Sequence, residues 1–170
     1  NKIRPDFAVK AITILIDNPT IGVVYGDAMN FGNKSGYWKM GKFSKNRILV
    51  NNHIDACAMI RKKVFDCGVA YATDMPYQGL EDWDLWLQII KTKYTFFYLE
   101  ELTFDYRVRK DSIFRKLNQN KYLACYQYIK IKHADLRDIN FKATLFIHTL
   151  YKFLKSWNFN VFMELKKHWS

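Results

Sequence analysis

Acidic side chains are scarce in this chain, and cysteine, proline and glycine are few. Sixteen Asp and Glu face 27 Lys and Arg, a formal net charge of +11 over 170 residues, and acids thin out further after Ser112. The three cysteines, Cys57, Cys67 and Cys125, are odd in number, widely spaced and without a C-x-x-C pair. That excludes a disulfide framework and a zinc ribbon, and it suits reduced thiols in a cytoplasmic protein. His53, His133, His148 and His168 form no H-E-x-x-H pair, so no self-contained metal site is expected. Three prolines and seven glycines are too few for a collagenous or low-complexity chain, and no internal repeat is visible. No stretch approaches the ~18–20 uninterrupted apolar residues of a membrane span. There is no signal-peptide pattern and no initiator Met, and the chain reads as though cut from something longer.

What is present is apolar mass and positive charge. At 49% hydrophobic and 17% aromatic, the chain can build one sizeable core with aromatic surface to spare. The basic balance suits phosphate groups, anionic lipid headgroups or nucleic acid. Nucleic acid is set aside, because no recognised binding module accompanies the charge.

The pattern along the chain predicts a mixed α/β body over residues 1–111 and a basic, aromatic, helical tail over 112–170. Pro5 suits a first helical turn, and Phe7, Ala8, Ala11, Ile12 and Leu15 continue one face as far as Asp17-Asn18-Pro19. Ile21–Tyr25 and Asp55–Ile60 read as short buried strands, with a turn at Gly32–Gly36 between them. Arg61–Cys67 reads as a brief helix stopped by Gly68. Tyr94–Tyr98 and Leu102–Val108 read as two further strands. From Ser112, a plausible N-cap, the pattern turns helical, with Leu117, Leu123, Tyr126 and Ile129 on one face. A second helix, capped by Asn140, is expected to reach about Trp157. The lysines and aromatics from Ala143 to Trp169 suit either an interfacial membrane helix or helices packed on the body.

The chemistry concentrates in Gly79-Leu80-Glu81-Asp82-Trp83-Asp84-Leu85-Trp86-Leu87. Leu80, Trp83, Leu87 and Ile90 recur at helical spacing, which puts Glu81 and Asp82 in a first turn where the helix dipole favours negative charge. A carboxylate held there is well placed to take a proton from a bound hydroxyl, and Trp83 and Trp86 can offer flat faces to a ring-shaped ligand. A plain helix start with two acids and a buried Trp explains the same residues. Asp82 and Asp84 spell an Asp-x-Asp metal motif, but residues two apart on a helix point in separate directions and cannot readily share an ion. Asp27, at the end of the Ile21 strand, either faces a cleft or starts a turn. Arg107 and Arg109 alternate on a strand and should share a face.

Four segments then fall in a telling order. They are Pro19-Thr20-Ile21-Gly22-Val23-Val24-Tyr25-Gly26-Asp27, the stretch from Asn52 to Phe65, Gly79 to Leu87, and Phe104-Asp105-Tyr106-Arg107-Val108-Arg109-Lys110-Asp111-Ser112. Over roughly residues 3–115 this order resembles the C-terminal half of bacterial family 2 glycosyltransferases. The Glu-Asp-Trp-Asp segment with the later Tyr-Arg-x-Arg-x-x-Ser is the most specific part. The resemblance implies a partial Rossmann-like, A-type glycosyltransferase fold whose nucleotide-binding half would lie before Asn1. It implies an inverting transfer from a nucleotide-diphospho-sugar to a glycan or glycolipid hydroxyl in surface polysaccharide synthesis. Asp82 would be the base, Glu81 would orient the helix start or touch the acceptor, and Arg107 and Arg109 would lie near the donor diphosphate. A divalent metal, Mn²⁺ or Mg²⁺, would be held by ligands outside this segment. The 170 residues alone are therefore expected to lack transfer activity and tight donor affinity. A cytoplasmic location follows, with possible peripheral contact at the inner membrane face. The alternatives are a non-catalytic acceptor-binding or interaction module derived from such an enzyme, and a basic membrane-surface protein.

Overall fold

Pro5 sits in the first turn of helix α1 (Pro5–Asp17), where its missing N–H leaves no bond unmade, and Asp6 follows it. Phe7, Ala11 and Leu15 form the buried stripe, and they pack with Ile21 and Val24. The helix ends at Asn18, whose side chain donates to the Ile14 carbonyl, just before Pro19 turns the chain. A computed structural model describes residues 1–112 and 117–137, and α1 feeds directly into the strand at the centre of its sheet.

That sheet is mixed and open, flanked by helices. Its strands are β1 (Lys2–Ile3), β2 (Ile21–Gly32), β3 (Gly36–Trp38), β4 (Met59–Ile60) and β5 (Thr95–Val108). β2 runs parallel to β5 and antiparallel to β3 and β4, while β1 pairs antiparallel with β5. Ile21 to Ala28 are buried throughout, as expected for a strand covered on both faces. Val24 packs under α1, whereas Phe96, the partner of its neighbour Val23, meets Trp86 edge-on. Successive side chains on a strand point oppositely, so helix α3 (Glu81–Ile90) covers the face that α1 does not.

Two expected elements take a different form. The strands expected at Tyr94–Tyr98 and Leu102–Val108 are one strand, interrupted by a bulge: Gly26 pairs with Leu99 and Asp27 with Leu102. Glu100 and Glu101 are the surplus residues, and ion pairs to Lys39 and Lys10 hold them outward. The bulge crowds Gly26, where a Cβ would stand 2.6 Å from the Leu99 carbonyl oxygen and 2.8 Å from that of Glu101. Of Asp55–Ile60, only Met59 and Ile60 pair with β2. The Asp55 carboxylate instead accepts the Cys57 N–H at 2.9 Å and bends the chain before it reaches the sheet.

The brief helix expected after Arg61 is present as a 3-10 turn, Lys62–Cys67, ended by Gly68 at φ 80°. Helix α2 (Lys45–Val50) is capped by Ser44, whose hydroxyl accepts the Arg47 N–H. The helical pattern after Ser112 is realised in α4 (Gln119–Lys132), capped by Asn118. Its buried residues are Cys125 and Ile129, while Leu123, expected inward, is exposed. The chain divides into two compact units, 1–134 and 135–170, and α4 lies in the first. The helix expected from Asn140 and the aromatic tail from Ala143 lie outside the described residues. Among the described residues, no helix is long and apolar enough to cross a membrane.

Candidate functional site

Helix α3 is buried on nearly every side, and that fixes the geometry of its start. Trp83 and Trp86 are both fully enclosed. Burying each indole contributes roughly 1.5–3 kcal/mol, and each N–H keeps a partner: Trp83 donates to the Ile48 carbonyl at 2.6 Å, Trp86 to that of Ile54 at 3.0 Å. These two bonds fasten α2 and the segment 51–55 to α3. Trp83 also contacts Tyr126, and although its ring is enclosed it is among the residues lining a smaller pocket beside Asp82.

The fastened segment delivers Asn52 to Asp82. Asn52 donates from Nδ2 to Asp82 Oδ2 at 3.0 Å, while its own Oδ1 accepts the Ile54 N–H at 3.1 Å. The other Asp82 oxygen accepts the Trp83 N–H at 2.8 Å. Burial pushes the Asp82 carboxyl up to about 7, with nearby Asp55 and Glu81 adding to the rise and the two hydrogen bonds opposing it. A carboxylate of that basicity is poised for proton transfer near neutral pH. Glu81 accepts the Gly79 N–H at 2.7 Å, closing the turn that leads into α3. Gly79 itself has φ 124°, a conformation that side chains disfavour.

Asp82 opens onto a cleft of about 740 Å³. The start of α3 and the segment 55–57 supply carboxylates from Glu81, Asp82 and Asp55; the end of β5 supplies Arg107 and Arg109. Both arginines are exposed with Val108 buried between them, as strand alternation requires. Among the described residues neither guanidinium is in an ion pair, and Arg107's backbone N–H holds the Asn1 side chain. Ser112 also lines the cleft. Four of the six predicted site residues thus share one cavity, although Glu81 and Asp82 lie 25 to 28 positions from the arginines.

Asp27 lies elsewhere. It neither faces this cleft nor starts a turn; it sits within β2, fully buried. Its carboxylate accepts the hydroxyls of Tyr37 and Tyr98 and the Met40 N–H. Its oxygens are thereby used in tying β3 and β5 to β2. Asp84 is likewise structural. Burial alone would raise its carboxyl, but hydrogen bonds from His133 (2.8 Å), Lys132 (3.0 Å) and Gln88 (2.6 Å) hold it below the usual value. These contacts dock α4 on α3 and point Asp84 away from Asp82.

Among the described residues, no group of three or more His, Cys, Asp or Glu side chains can hold a metal ion. Cys57 lines the cleft, but burial pushes its thiol up to about 11, which disqualifies it as a thiolate nucleophile.

Sequence reasoning missed Asn52, Asp55, His53, Trp38 and Tyr106. The last of these lines the large cleft and also a smaller pocket of about 260 Å³ that shares Asp82 and Asp55 with it. Asn52, His53 and Asp55 stood within the singled-out stretch from Asn52 to Phe65 and Tyr106 within that from Phe104 to Ser112, but without a role; nothing local marked Trp38, which arrives through β3. Comparison of the chain with protein-family models and with curated protein sequences gives no match.

Proposed function

We propose that the cleft is a glycosyl-transfer site in which Asp82 is the general base. The observation that carries this reading is the Asp82 carboxylate itself, half-buried, oriented by Asn52 and raised to about 7 in a cleft whose other side presents Arg107 and Arg109. An acceptor hydroxyl gives its proton to Asp82 as its oxygen bonds to the anomeric carbon of a nucleotide-diphospho-sugar. The bond from that carbon to the diphosphate oxygen breaks with its electron pair, inverting the centre. The two guanidiniums neutralise the charge that accumulates on the departing nucleoside diphosphate. Glu81 holds the turn that presents Asp82.

The fold supports the same reading at a coarser level. A parallel β2–β5 pair with α1 on one face and α3 on the other is what a Rossmann-like, A-type glycosyltransferase requires of its C-terminal part, and the carboxylate lies at the start of the helix before β5. The product class proposed is a surface glycan or glycolipid built on the cytoplasmic side. The test is transfer by the intact protein with Asp82→Asn. Turnover should fall by the ~10²–10⁴-fold that a positioned base supplies, with donor affinity little changed. Near-normal turnover in that variant ends the assignment.

A further inference from the structure

His53 is a buried side chain without a well-formed hydrogen bond. It is 5% exposed, and neither ring nitrogen has a hydrogen-bond partner among the described residues. Burial, with the Arg47 charge adding to it and a backbone contact from Asn51 that falls short of full hydrogen-bond geometry opposing it, pushes its pKa down to about 4, so the ring is neutral at pH 7. A neutral imidazole carries one N–H donor and one bare acceptor nitrogen. Neither need is met with good geometry, at a standing cost in stability that an apolar residue of the same shape would avoid.

His53 lines the smaller pocket, and so do Trp38, Tyr106 and Tyr122. Trp38 and Tyr106 meet edge-on at 5.3 Å, which fixes part of that aromatic wall. At about 260 Å³, the space lies just below the ~300–1,000 Å³ of drug-sized ligand sites, room for one ring rather than a chain. Its charged lining residues are Asp55 and Asp82, both acidic, so an anionic occupant is disfavoured. A sugar ring matches each feature. Its C–H faces lie against aromatic rings, its hydroxyls are donor and acceptor at once, and a hydroxyl at its edge meets Asp82, which the pocket shares with the cleft.

We infer that this pocket is the subsite for the terminal ring of the acceptor, a neutral pyranose, with His53 as its hydrogen-bonding residue. The inference rests on the transfer reading for the word acceptor, but its test needs no donor. The 170-residue chain, labelled with ¹⁵N in histidine, is titrated with methyl β-D-glucopyranoside, methyl β-D-galactopyranoside and methyl α-L-rhamnopyranoside, with methyl glucuronide as the anionic control. At least one neutral glycoside should move the His53 ring resonances, and the glucuronide should bind more weakly. His53→Phe, which keeps the ring volume, should weaken that glycoside about three- to tenfold without lowering the melting temperature.

His53 resonances that no neutral glycoside moves, as expected of a site holding water only, overturn the inference. So does unchanged affinity in His53→Phe. Should that variant fail to fold, the wild-type titration alone decides. Unmoved His53 resonances together with loss of turnover in Asp82→Asn remove the subsite and keep the transfer site. Moved resonances with undiminished turnover do the reverse.

Discussion

Asp82 should destabilise the folded protein at neutral and alkaline pH, and replacing it should relieve that. Burial raises its carboxyl from 3.8 to about 7 on folding. The sign follows from proton binding: the folded state holds the proton more tightly, so the stabilising contribution is complete below 3.8 and lost as pH rises through 7. Each pKa unit corresponds to 1.36 kcal/mol, so the full shift sets an upper limit of about 4 kcal/mol at pH 8.5. Residual solvent around the half-buried group reduces this, and about 1–3 kcal/mol is the working expectation. Asp82→Asn keeps the shape, the acceptor for the Trp83 N–H and a partner for Asn52, but never ionises. Urea denaturation of both proteins from pH 4 to 8.5 should show near-equal stability at the acid end. Across the window from about 4 to 7 a gap should open in favour of Asn. A variant that is no more stable than wild type at pH 8.5, or a gap that does not change with pH, would refute the reasoning. The gain in stability should accompany the loss of turnover, the trade expected where a functional group is held against its own preference.

The remaining structural claims are tested by stability. Asp84→Ala leaves Lys132 and His133 facing an emptied buried site and should cost about 3–5 kcal/mol, measured by denaturation, with α4 losing amide protection before the sheet does. Gly26→Ala forces a methyl against the Leu99 and Glu101 carbonyls, which are backbone and cannot swing aside, so a loss of about 1–3 kcal/mol is expected. A melting temperature equal to wild type for Gly26→Ala would show that the bulge is not packed as described.

The parts of this fold that read from sequence are those whose partners are local. Pro5 and the Phe7, Ala11, Leu15 stripe specify α1 without help from elsewhere, and the β-branched run from Ile21 specifies the start of β2. Reading stopped at Gly26-Asp27 because a glycine and an acid end most strands. Here they continue, since Tyr37, Met40 and Tyr98 supply three hydrogen bonds to Asp27 from distant positions. Glu100-Glu101 looked like a loop for the same reason; Lys10 and Lys39 make it a bulge. Within the site, Glu81 and Asp82 were legible because helix spacing places them. The burial that makes Asp82 basic was not, because it depends on α2, Asn52 and Asp55 arriving through the two tryptophan N–H bonds. A lone His53 carries no motif, and only its enclosure without a well-formed hydrogen bond marks it.

The most direct measurement is the pH dependence of glycosyl transfer by the intact protein, for wild type and for Asn52→Ala. If Asp82 is the base, kcat should rise along a limb centred near pH 7. Asn52 donates to the charged carboxylate and so holds that pKa down; its removal should move the limb to higher pH. A rate that is flat through this range, or a limb that stays in place without Asn52, would contradict the assignment of Asp82.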